Sequence, residues 1–378
     1  VGLVGSEEPQ TVAAETGRAV TVPLADPDRA AAEIALLHEG MPLDAVVAAD
    51  DQGVLAAAAA AERLHLRHNP RRAVAATRDK AALRRALTDT SVPQPRFRIA
   101  GPADDVGTMA EEVGLPVVVK PVALSGSRGV IRADAADAAA RASTRVRAIV
   151  ADAGGDPSAP VLIEQYLPGV EVAVEGLLQD GALTILALFD KPDPLVGPYF
   201  EETIYVTPSR LPEPVLDRVA DISADAARGL GLIEGPIHAE LRIDGADVWL
   251  LEVAARSIGG LCARALRFGA GVSLEELIVR HALGAPLDGM TREHTASGVM
   301  MLPIPRPGTL VRVDGQDAAL AVPGIAGLEI TIPNGRQVKP LPEGDRYLGF
   351  LFARGDTPDA VEGALRAAHA YLEVVIEP

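Results

Sequence analysis

The chain has 378 residues, enough for two or three domains with complete cores, and its 48% apolar and 23% charged residues exclude a disordered chain. A formal net charge of −17 argues against a nucleic-acid surface, and no apolar run is long enough to span a membrane. With a single cysteine, Cys262, and no signal-peptide pattern, we expect a cytoplasmic protein without a disulfide framework or a membrane partner.

The first part of the chain alternates short apolar runs with helix-like segments. Strands and helices are predicted, in order, at residues 19–24, 27–39, 44–49 and 53–64. This alternation indicates a small parallel α/β domain, and because Val1 lies inside an apparent element we expect a first strand to precede it. Asp50 and Asp51 follow a predicted strand, where open α/β sheets place ligands, although capping of the next helix explains the pair equally well.

A compact unit follows a basic amphipathic helix that is predicted over residues 77–90. Its predicted parts are a helix near 104–113, the strand VVVK, a Ser/Gly loop and a helix near 134–151. Lys120 would be costly at the end of a buried strand unless its ammonium group meets an anion. The stretch Ser125-Gly126-Ser127-Arg128-Gly129 is small, flexible and rich in donors, as a backbone that wraps a phosphate must be. A snorkelling lysine followed by an ordinary surface loop remains the alternative.

The remainder of the chain is predicted to be rich in strands. Its predicted elements are two strands in VLIEQYLPGVEVAVEGLL, a strand in LTILALF, a helix over 212–230, an antiparallel pair in PIHAELRI and DVWLLEVAAR, helices in GGLCARALRF and SLEELIVRHAL, and a final helix near 358–370.

Glu240 and Glu252 lie on the antiparallel pair, each among apolar neighbours. Two inward carboxylates repel each other and should not both be ionised in a core unless a cation lies between them. Mg²⁺ is a hard cation that prefers oxygen ligands and bridges carboxylate to phosphate. The pair therefore favours a magnesium site.

Arg256 precedes a glycine-rich turn, Ser257-Ile258-Gly259-Gly260. A guanidinium group can hold a carboxylate or a phosphoryl group in a bidentate fork, and glycines let backbone N–H groups approach an oxyanion. The alternative is an arginine that pairs with Glu240 or Glu252 ahead of an ordinary turn.

The order of these features resembles the ATP-grasp superfamily of carboxylate–amine ligases, and more narrowly the bacterial L-amino-acid ligase and carnosine-synthase-like branch. The motif-bearing part runs from about Arg78 to Leu261. The resemblance implies a mixed α/β and α+β chain with the ATP-grasp fold. The expected domains are an N-terminal parallel α/β domain with its linking helix (1–93), a small mobile lid subdomain (94–163), and a C-terminal antiparallel-sheet core with a terminal α+β subdomain (164–378).

The resemblance also implies the ligands of ATP. Lys80 and Lys120 would neutralise its phosphates, the Ser/Gly loop would close over them, and Glu171 matches the ribose ligand of the family. The residues expected to bind ATP are Lys80, Lys120, Ser125, Gly126, Ser127, Arg128, Gly129, Glu164, Gln165, Tyr166, Leu167 and Glu171. Among them, Glu164 is expected to accept from the adenine amino group, although a solvated strand end is the alternative.

The metal and catalytic residues come from the same resemblance. Glu240 and Glu252 would bind one or two Mg²⁺ ions, with Mn²⁺ as a substitute, and Ala254 stands where the superfamily usually has asparagine, so the coordination of a second ion stays open. The residues expected to be catalytic are Arg256, Lys120, Ser257, Gly259 and Gly260.

Candidate substrate residues lie around two further stretches. Glu201 or Glu202 could bind an amino group and Tyr205 could line a side-chain pocket, although packing explains an aromatic residue as well. His238 shares a strand face with Glu240, where a buried structural histidine is the alternative, and Arg264 is a weaker candidate for phosphate or substrate.

We therefore expect an ATP-dependent ligase that joins a carboxylate, an amino acid or similar acid, to an amine through an acyl phosphate. The product would be an amide or dipeptide-like metabolite, with ADP and phosphate. Small-molecule substrates are the expected partners, and the resemblance is compatible with a homodimer. The alternatives are a biotin-carboxylase-like or purine-type ATP-grasp enzyme, and a nucleotide-binding protein without turnover.

Overall fold

A computed structural model describes residues 3–5 and 19–378 of the chain. The N-terminal part has strands β1 (Leu3–Gly5) and β2 (Ala19–Thr21), which pair in parallel, and helices α1 (Pro27–Gly40) and α2 (Val54–Arg63). Asp26 caps α1 because its side chain accepts from the Arg29 amide, and Pro27 occupies the first turn. The alanine-rich face of α2 packs on α1 in a small core.

Two short helices, α3 (Arg71–Arg78) and α4 (Lys80–Ala86), replace the single helix predicted over residues 77–90. The chain is extended at Asp79, whose carboxylate accepts from the amides of Ala81 and Ala82 and so starts a new helix. The break matters because it places Lys80 at the first position of α4, with its amide bonded to the Val122 carbonyl.

The lid subdomain is an antiparallel four-stranded sheet covered by two helices. Its elements are β3 (Phe97–Ala100), α5 (Val106–Val113), β4 (Val117–Pro121), β5 (Ile131–Ala133), α6 (Ala136–Asp152) and β6 (Val161–Gln165), with strand order β3-β6-β4-β5. The alternating buried residues of β4 and β6 pack against α5 and α6. Lys120 of β4 pairs with Leu162 and Glu164 of β6 pairs with Val118, so the side chains of Lys120 and Glu164 leave the same face of the sheet as diagonal neighbours.

The central element is an antiparallel eight-stranded sheet, of order β11-β10-β7-β8-β9-β12-β16-β14. Its first part contains β7 (Val170–Gln179), β8 (Ala182–Lys191), β9 (Ile204–Thr207), α7 (Glu213–Leu230), β10 (Gly235–Asp244), β11 (Asp247–Ala254) and α8 (Leu274–Ala282). Helix α7 packs on β7, β10 and β11 to form the largest core. Gly169 begins this sheet at a position where a Cβ atom would lie 1.9 Å from the Ile243 carbonyl oxygen, so only glycine fits.

The C-terminal part completes the large sheet and adds a small one. It contains β12 (Ala296–Leu302), β13 (Gly308–Asp314), α9 (Gln316–Leu320), β14 (Ile325–Ile330), β15 (Gln337–Val338), β16 (Gly349–Gly355), α10 (Pro358–His369) and β17 (Glu373–Glu377). Strands β15, β13 and β17 form the three-stranded sheet, and α10 packs on β12 and β16.

Two predicted elements are wrong. Residues 44–49, all within the described part of the chain, form no strand and instead line a small interior cavity. The segment GGLCARALRF contains a single 3-10 turn, Cys262–Ala265, rather than a helix, since Phe268 leaves the turn to pair with Val272. Within the residues that the structure describes, no helix combines the length and apolar character needed to cross a membrane.

Candidate active site

A cavity of about 830 Å³ lies between the lid, the large sheet and the C-terminal part. Its volume is in the range of ligand pockets. Most of the residues predicted for ATP, metal and substrate line it: Lys80, Lys120, Ser125, Gly126, Ser127, Glu164, Gln165, Tyr166, Leu167, Glu171, Glu201, Glu202, Tyr205, His238, Glu240, Glu252, Arg256, Gly259 and Gly260.

Lys120 lies at the end of β4 with only 7% of its surface exposed. Its Nζ is 2.6 Å from Glu164 Oε2, and the buried Arg84 Nε donates to the other carboxylate oxygen, also at 2.6 Å. Burial alone would raise the pKa of Glu164, but Arg84 and Lys120 lower it to about 2. Burial lowers the pKa of Lys120, against the opposing effect of Glu164. The carboxylate thus fixes the lysine in the cavity wall.

This arrangement excludes one of the two expectations for Glu164. The side chain is buried rather than a solvated strand end. Its oxygens each have one partner, Arg84 or Lys120, and a carboxylate oxygen can accept a second hydrogen bond, so the bond to the adenine amino group stays a prediction. Arg84, on α4, is a partner that the sequence analysis missed. Its only signal is the basic character of the segment.

Lys80 approaches the cavity from α4. Its Nζ donates to the Leu124 carbonyl at 2.8 Å and to Glu252 Oε1 at 3.1 Å. Lys80, a predicted phosphate ligand, therefore contacts Glu252, a predicted metal ligand. The bond from Lys80 to the Leu124 carbonyl also holds the start of the Ser/Gly loop.

Lys191, a buried residue at the end of β8, is surrounded by three carboxylates that line the cavity. Its Nζ lies 2.6 Å from Glu171, 2.7 Å from Glu202 and 3.1 Å from Glu240. Despite burial, these carboxylates raise the pKa of Lys191 well above its ordinary value. Burial and the neighbouring acids raise the pKa of Glu202 to about 7, and its second oxygen accepts from Tyr205. The predicted ribose ligand Glu171 is thus part of an ion cluster, and its Oε2 also contacts Arg242.

A second chain of contacts runs from this cluster through His238. Its Nδ1 lies 2.5 Å from Glu175 Oε1 and its Nε2 3.4 Å from Glu240 Oε1. Burial lowers the pKa of His238, but the facing carboxylates raise it to about 9. The other oxygen of Glu175 accepts from the Ile258 amide at 3.0 Å. Glu175, which the sequence analysis missed, therefore ties the histidine to the turn after Arg256.

The predicted metal pair is in register. Glu240 on β10 is the direct cross-strand partner of Glu252 on β11, so both side chains leave the same face of the sheet. Lys191 and His238 contact Oε1 of Glu240, and Lys80 contacts Oε1 of Glu252. No described residue forms a hydrogen bond or an ion pair with Oε2 of either glutamate. Oxygens of Glu171, Glu202 and Glu240 also lie within 4.8 Å of one another. The donor set fits Mg²⁺ by its all-oxygen character and by the uncommitted oxygen on each member of the pair.

Arg256 is held by a residue from the N-terminal part. Its Nε and one terminal nitrogen each contact an oxygen of Asp51 at 2.9 Å, and Arg78 contacts the same carboxylate at 2.7 Å. The expected alternative, a pair with Glu240 or Glu252, is not what is formed. Asp51 thus faces the cavity as a ligand-site residue, whereas Asp50 accepts from the amides of Gln52 and Gly53 ahead of α2.

Four predicted site residues point elsewhere. Arg128 donates to the Glu343 carbonyl at 3.0 Å and the Gly129 amide to the Pro342 carbonyl at 2.9 Å, so both engage the C-terminal part instead of the cavity. Arg264 pairs with Glu329 and keeps about half of its side chain exposed. Ser257 contributes a carbonyl that accepts from Arg256. The corrections for Arg128, Gly129 and Arg264 come from long-range partners that no local pattern identifies.

The predicted adenine segment follows β6. The Gln165 and Tyr166 amides donate to the carbonyls of Arg96 and Pro116, so these two N–H groups are engaged within the protein. The guanidinium of Arg132 lies 4.1 Å from the ring centre of Tyr166.

Comparison with known proteins agrees with this geometry. Three family models match: an ATP-grasp N-terminal domain over residues 4–68, an ATP-grasp domain over 113–265 and an L-amino acid ligase C-terminal domain over 300–377. The solved structure of the L-amino acid ligase from Bacillus licheniformis superposes with a TM-score of 0.82 at 25% identity, over 98% of this chain and 90% of that one.

Curated relatives match at similar identity but over smaller parts of this chain. Alanine–anticapsin ligase of Bacillus subtilis (strain 168) is 28% identical over 244 residues, or 60% of this chain and 51% of that protein. D-Alanine–D-alanine ligase of Desulforudis audaxviator (strain MP104C) is 29% identical over 215 residues, or 53% and 66%. An uncharacterised protein of Sinorhizobium fredii matches 79% of this chain at 27% identity. The chain spans about half to two thirds of the length of the curated relatives it matches.

The fold and the matched domains define the class of protein first: the chain has the ATP-grasp fold, with an ATP-grasp domain over residues 113–265. Within it, the chain carries the C-terminal domain of the L-amino acid ligases, which confirms the branch that the sequence motifs indicated.

Proposed function

We propose that the chain is an ATP-dependent ligase that joins a carboxylate, an amino acid or similar acid, to an amine through an acyl phosphate. The observation that supports this proposal most strongly is the composition of one cavity. It is lined by Lys80, Lys120, Arg256 and the cross-strand pair of Glu240 and Glu252. The ligase names of the relatives and the matched C-terminal domain support the same conclusion.

The nucleotide would lie between the lid and the large sheet. Lys80 and Lys120 provide positive charge for its phosphates, and residues Ser125 to Ser127 cover them from the lid side. Glu164 supports this role because it holds Lys120 in the wall at 2.6 Å. Exclusion of water at this place would protect a reactive acyl phosphate.

The metal would be Mg²⁺. Glu240 and Glu252 would hold it through their uncommitted oxygens, and when bound it would neutralise phosphate charge and orient the nucleotide. The remaining catalytic work then falls to side chains of this chain.

The reaction would proceed in two displacements. An oxygen of the substrate carboxylate attacks the γ-phosphorus, the bond to the β–γ bridging oxygen breaks, and ADP leaves. The neutral amine nitrogen then attacks the acyl carbon, phosphate leaves, and the nitrogen loses its extra proton to give the amide. Arg256, oriented by Asp51, would stabilise the tetrahedral oxyanion, with Gly259 and Gly260 lining the same region.

A screen for ADP release tests this proposal. Purified protein, ATP and Mg²⁺ are combined with a matrix of carboxylates and amines, amino acids foremost, and Lys120→Ala serves as the control. ADP release that needs one acid and one amine, with a condensed product in the mass spectrum, is the expected result. Release that needs bicarbonate instead would indicate a carboxylase, and ATP binding without release across the matrix would indicate a nucleotide-binding protein without turnover.

A further inference from the structure

The Ser/Gly loop is tied to the C-terminal part by a segment that the sequence analysis did not single out. Residues 339–346, here called the bridging segment, connect β15 to β16. Six of its residues also line the large cavity: Lys339, Pro340, Leu341, Gly344, Asp345 and Arg346. The segment therefore contacts the cavity and the lid at the same time.

The contacts of the bridging segment with the lid fall on the loop itself and on α6. The Gly129 amide donates to the Pro342 carbonyl at 2.9 Å, and Arg128 Nε donates to the Glu343 carbonyl at 3.0 Å. On α6, Arg145 Nε lies 2.6 Å from Glu343 Oε1. Glu343 thus bonds the loop through its backbone and the lid helix through its side chain.

The shape of the bridging segment is well defined. The Gly344 amide closes a turn onto the Pro340 carbonyl at 2.9 Å, and a Cβ atom at Gly344 would lie 2.3 Å from the Lys339 carbonyl oxygen. Only glycine fits there, so Glu343 is presented to the lid by a compact turn. Arg145 is oriented in turn by the Tyr199 hydroxyl, 2.5 Å from a terminal nitrogen of the guanidinium.

We propose that Arg145 and Glu343 are positioning residues whose ion pair holds the Ser/Gly loop against the C-terminal part and so keeps it closed over the cavity. This rests on the proposed function in assigning the loop to cover ATP phosphates. The side chains of Arg145 and Glu343 are 44% and 36% exposed, and ion pairs this accessible contribute at most about 1 kcal/mol. The pair can therefore shift the loop between closed and open forms without determining whether the protein folds.

Limited proteolysis tests the proposal without any assumption about catalysis. Arg128 lies within the loop and is a trypsin site, and its side chain is only 13% exposed while the loop is docked. Cleavage there requires opening and therefore follows the population of the open form. Arg145→Met is compared with Arg141→Met, because Arg141 lies on the same helix and forms an exposed pair with Asp137 that does not involve the loop.

We expect cleavage after Arg128 to be about three to five times faster in Arg145→Met than in the wild type, with Arg141→Met unchanged and all thermal midpoints equal. Exchange of the two charges, Arg145→Glu with Glu343→Arg, should restore slow cleavage, whereas either reversal alone should not. Equal cleavage in Arg145→Met and Arg141→Met, or no recovery in the exchanged pair, would overturn the proposal.

A second measurement connects the pair to turnover. If the loop protects the acyl phosphate, Arg145→Met should form less amide per ADP released than the wild type, whereas Arg141→Met should keep the wild-type ratio. An unchanged ratio in Arg145→Met would contradict the protective role. Cleavage after Arg128 is measured without substrates. The proteolysis result therefore tests the role of the ion pair even if the ligase assignment fails.

Discussion

Replacement of Glu164 by glutamine tests how the cavity wall is held together. The substitution keeps the size of the side chain but removes the charge shared by Arg84 and Lys120, which are themselves buried. A pKa of about 2 against an ordinary 4.5 corresponds to roughly 3 kcal/mol of stability at neutral pH. Loss of one partner from a buried ion pair typically costs about 3–5 kcal/mol. Since Lys120 can shed its proton in the variant, we expect a loss of about 3 kcal/mol.

The free energy of unfolding is measured by urea denaturation, followed by the fluorescence of Trp249, the single tryptophan, on β11. The pH dependence has a defined sign. Because the folded pKa of Glu164 is depressed, its contribution is complete above pH 4.5 and is lost as the pH falls through 2. About a third of this contribution should be lost by pH 3.5. The difference between wild type and Glu164→Gln should therefore narrow as the pH falls.

Glu112→Gln is the matched control, since Glu112 belongs to the same subdomain and pairs with Arg98 at the surface, with both side chains about half exposed. It should change stability by less than about 1 kcal/mol. An equally small change for Glu164→Gln, or a difference that does not depend on pH, would refute the reasoning.

Three further predictions concern the opposite wall of the cavity. Glu252→Gln should abolish ADP release with little change in unfolding free energy, because this side chain is partly exposed and, among the residues that the structure describes, forms an ion pair with Lys80 alone. Near-normal ADP release would contradict the assignment of Glu252 to the metal. Asp51→Asn should lower kcat about tenfold, equivalent to about 1.4 kcal/mol, with a nearly constant KM for ATP. The reason is that the substitution weakens the two-point contact that orients the Arg256 guanidinium. An effect on KM alone would argue for a role in binding. His238→Gln should lower the free energy of unfolding most below pH 6.5, because the elevated pKa of about 9 stabilises the folded protein fully in that range. The difference from the wild type should disappear as the pH rises through 9. A difference that does not depend on pH would show that the charge of His238 contributes nothing to stability.

The sequence alone predicts those parts of the fold that local residue patterns determine. The hairpin of β10 and β11 is confirmed because alternating apolar residues and a short Gly-containing turn define its two strands. The pairing of Glu240 with Glu252 depends in addition on a register shift between Glu240 and Leu241, which the local pattern does not indicate. Helices α1, α2, α5, α6, α7, α8 and α10 lie within a few residues of their predicted bounds because caps and periodicity define them.

Features set by distant partners are not predictable in this way. Asp51 and Arg256 meet across more than 200 positions of the chain, and neither residue indicates the other. Lys191 pairs with carboxylates from β7, from β10 and from the loop before β9, so its role becomes evident only once these parts of the chain are adjacent. The break at Asp79 shows the same limit on a local scale, because a capping carboxylate divided a segment whose amphipathic pattern is continuous.

Transfer of oxygen from the acid to phosphate tests the central claim most directly. The acid identified by the ADP-release screen is labelled with ¹⁸O in its carboxylate, and the phosphate formed with the amide is analysed by mass spectrometry. An acyl phosphate intermediate predicts one ¹⁸O atom in each phosphate released, because the attacking carboxylate oxygen leaves with phosphorus. Unlabelled phosphate formed together with amide would contradict the account.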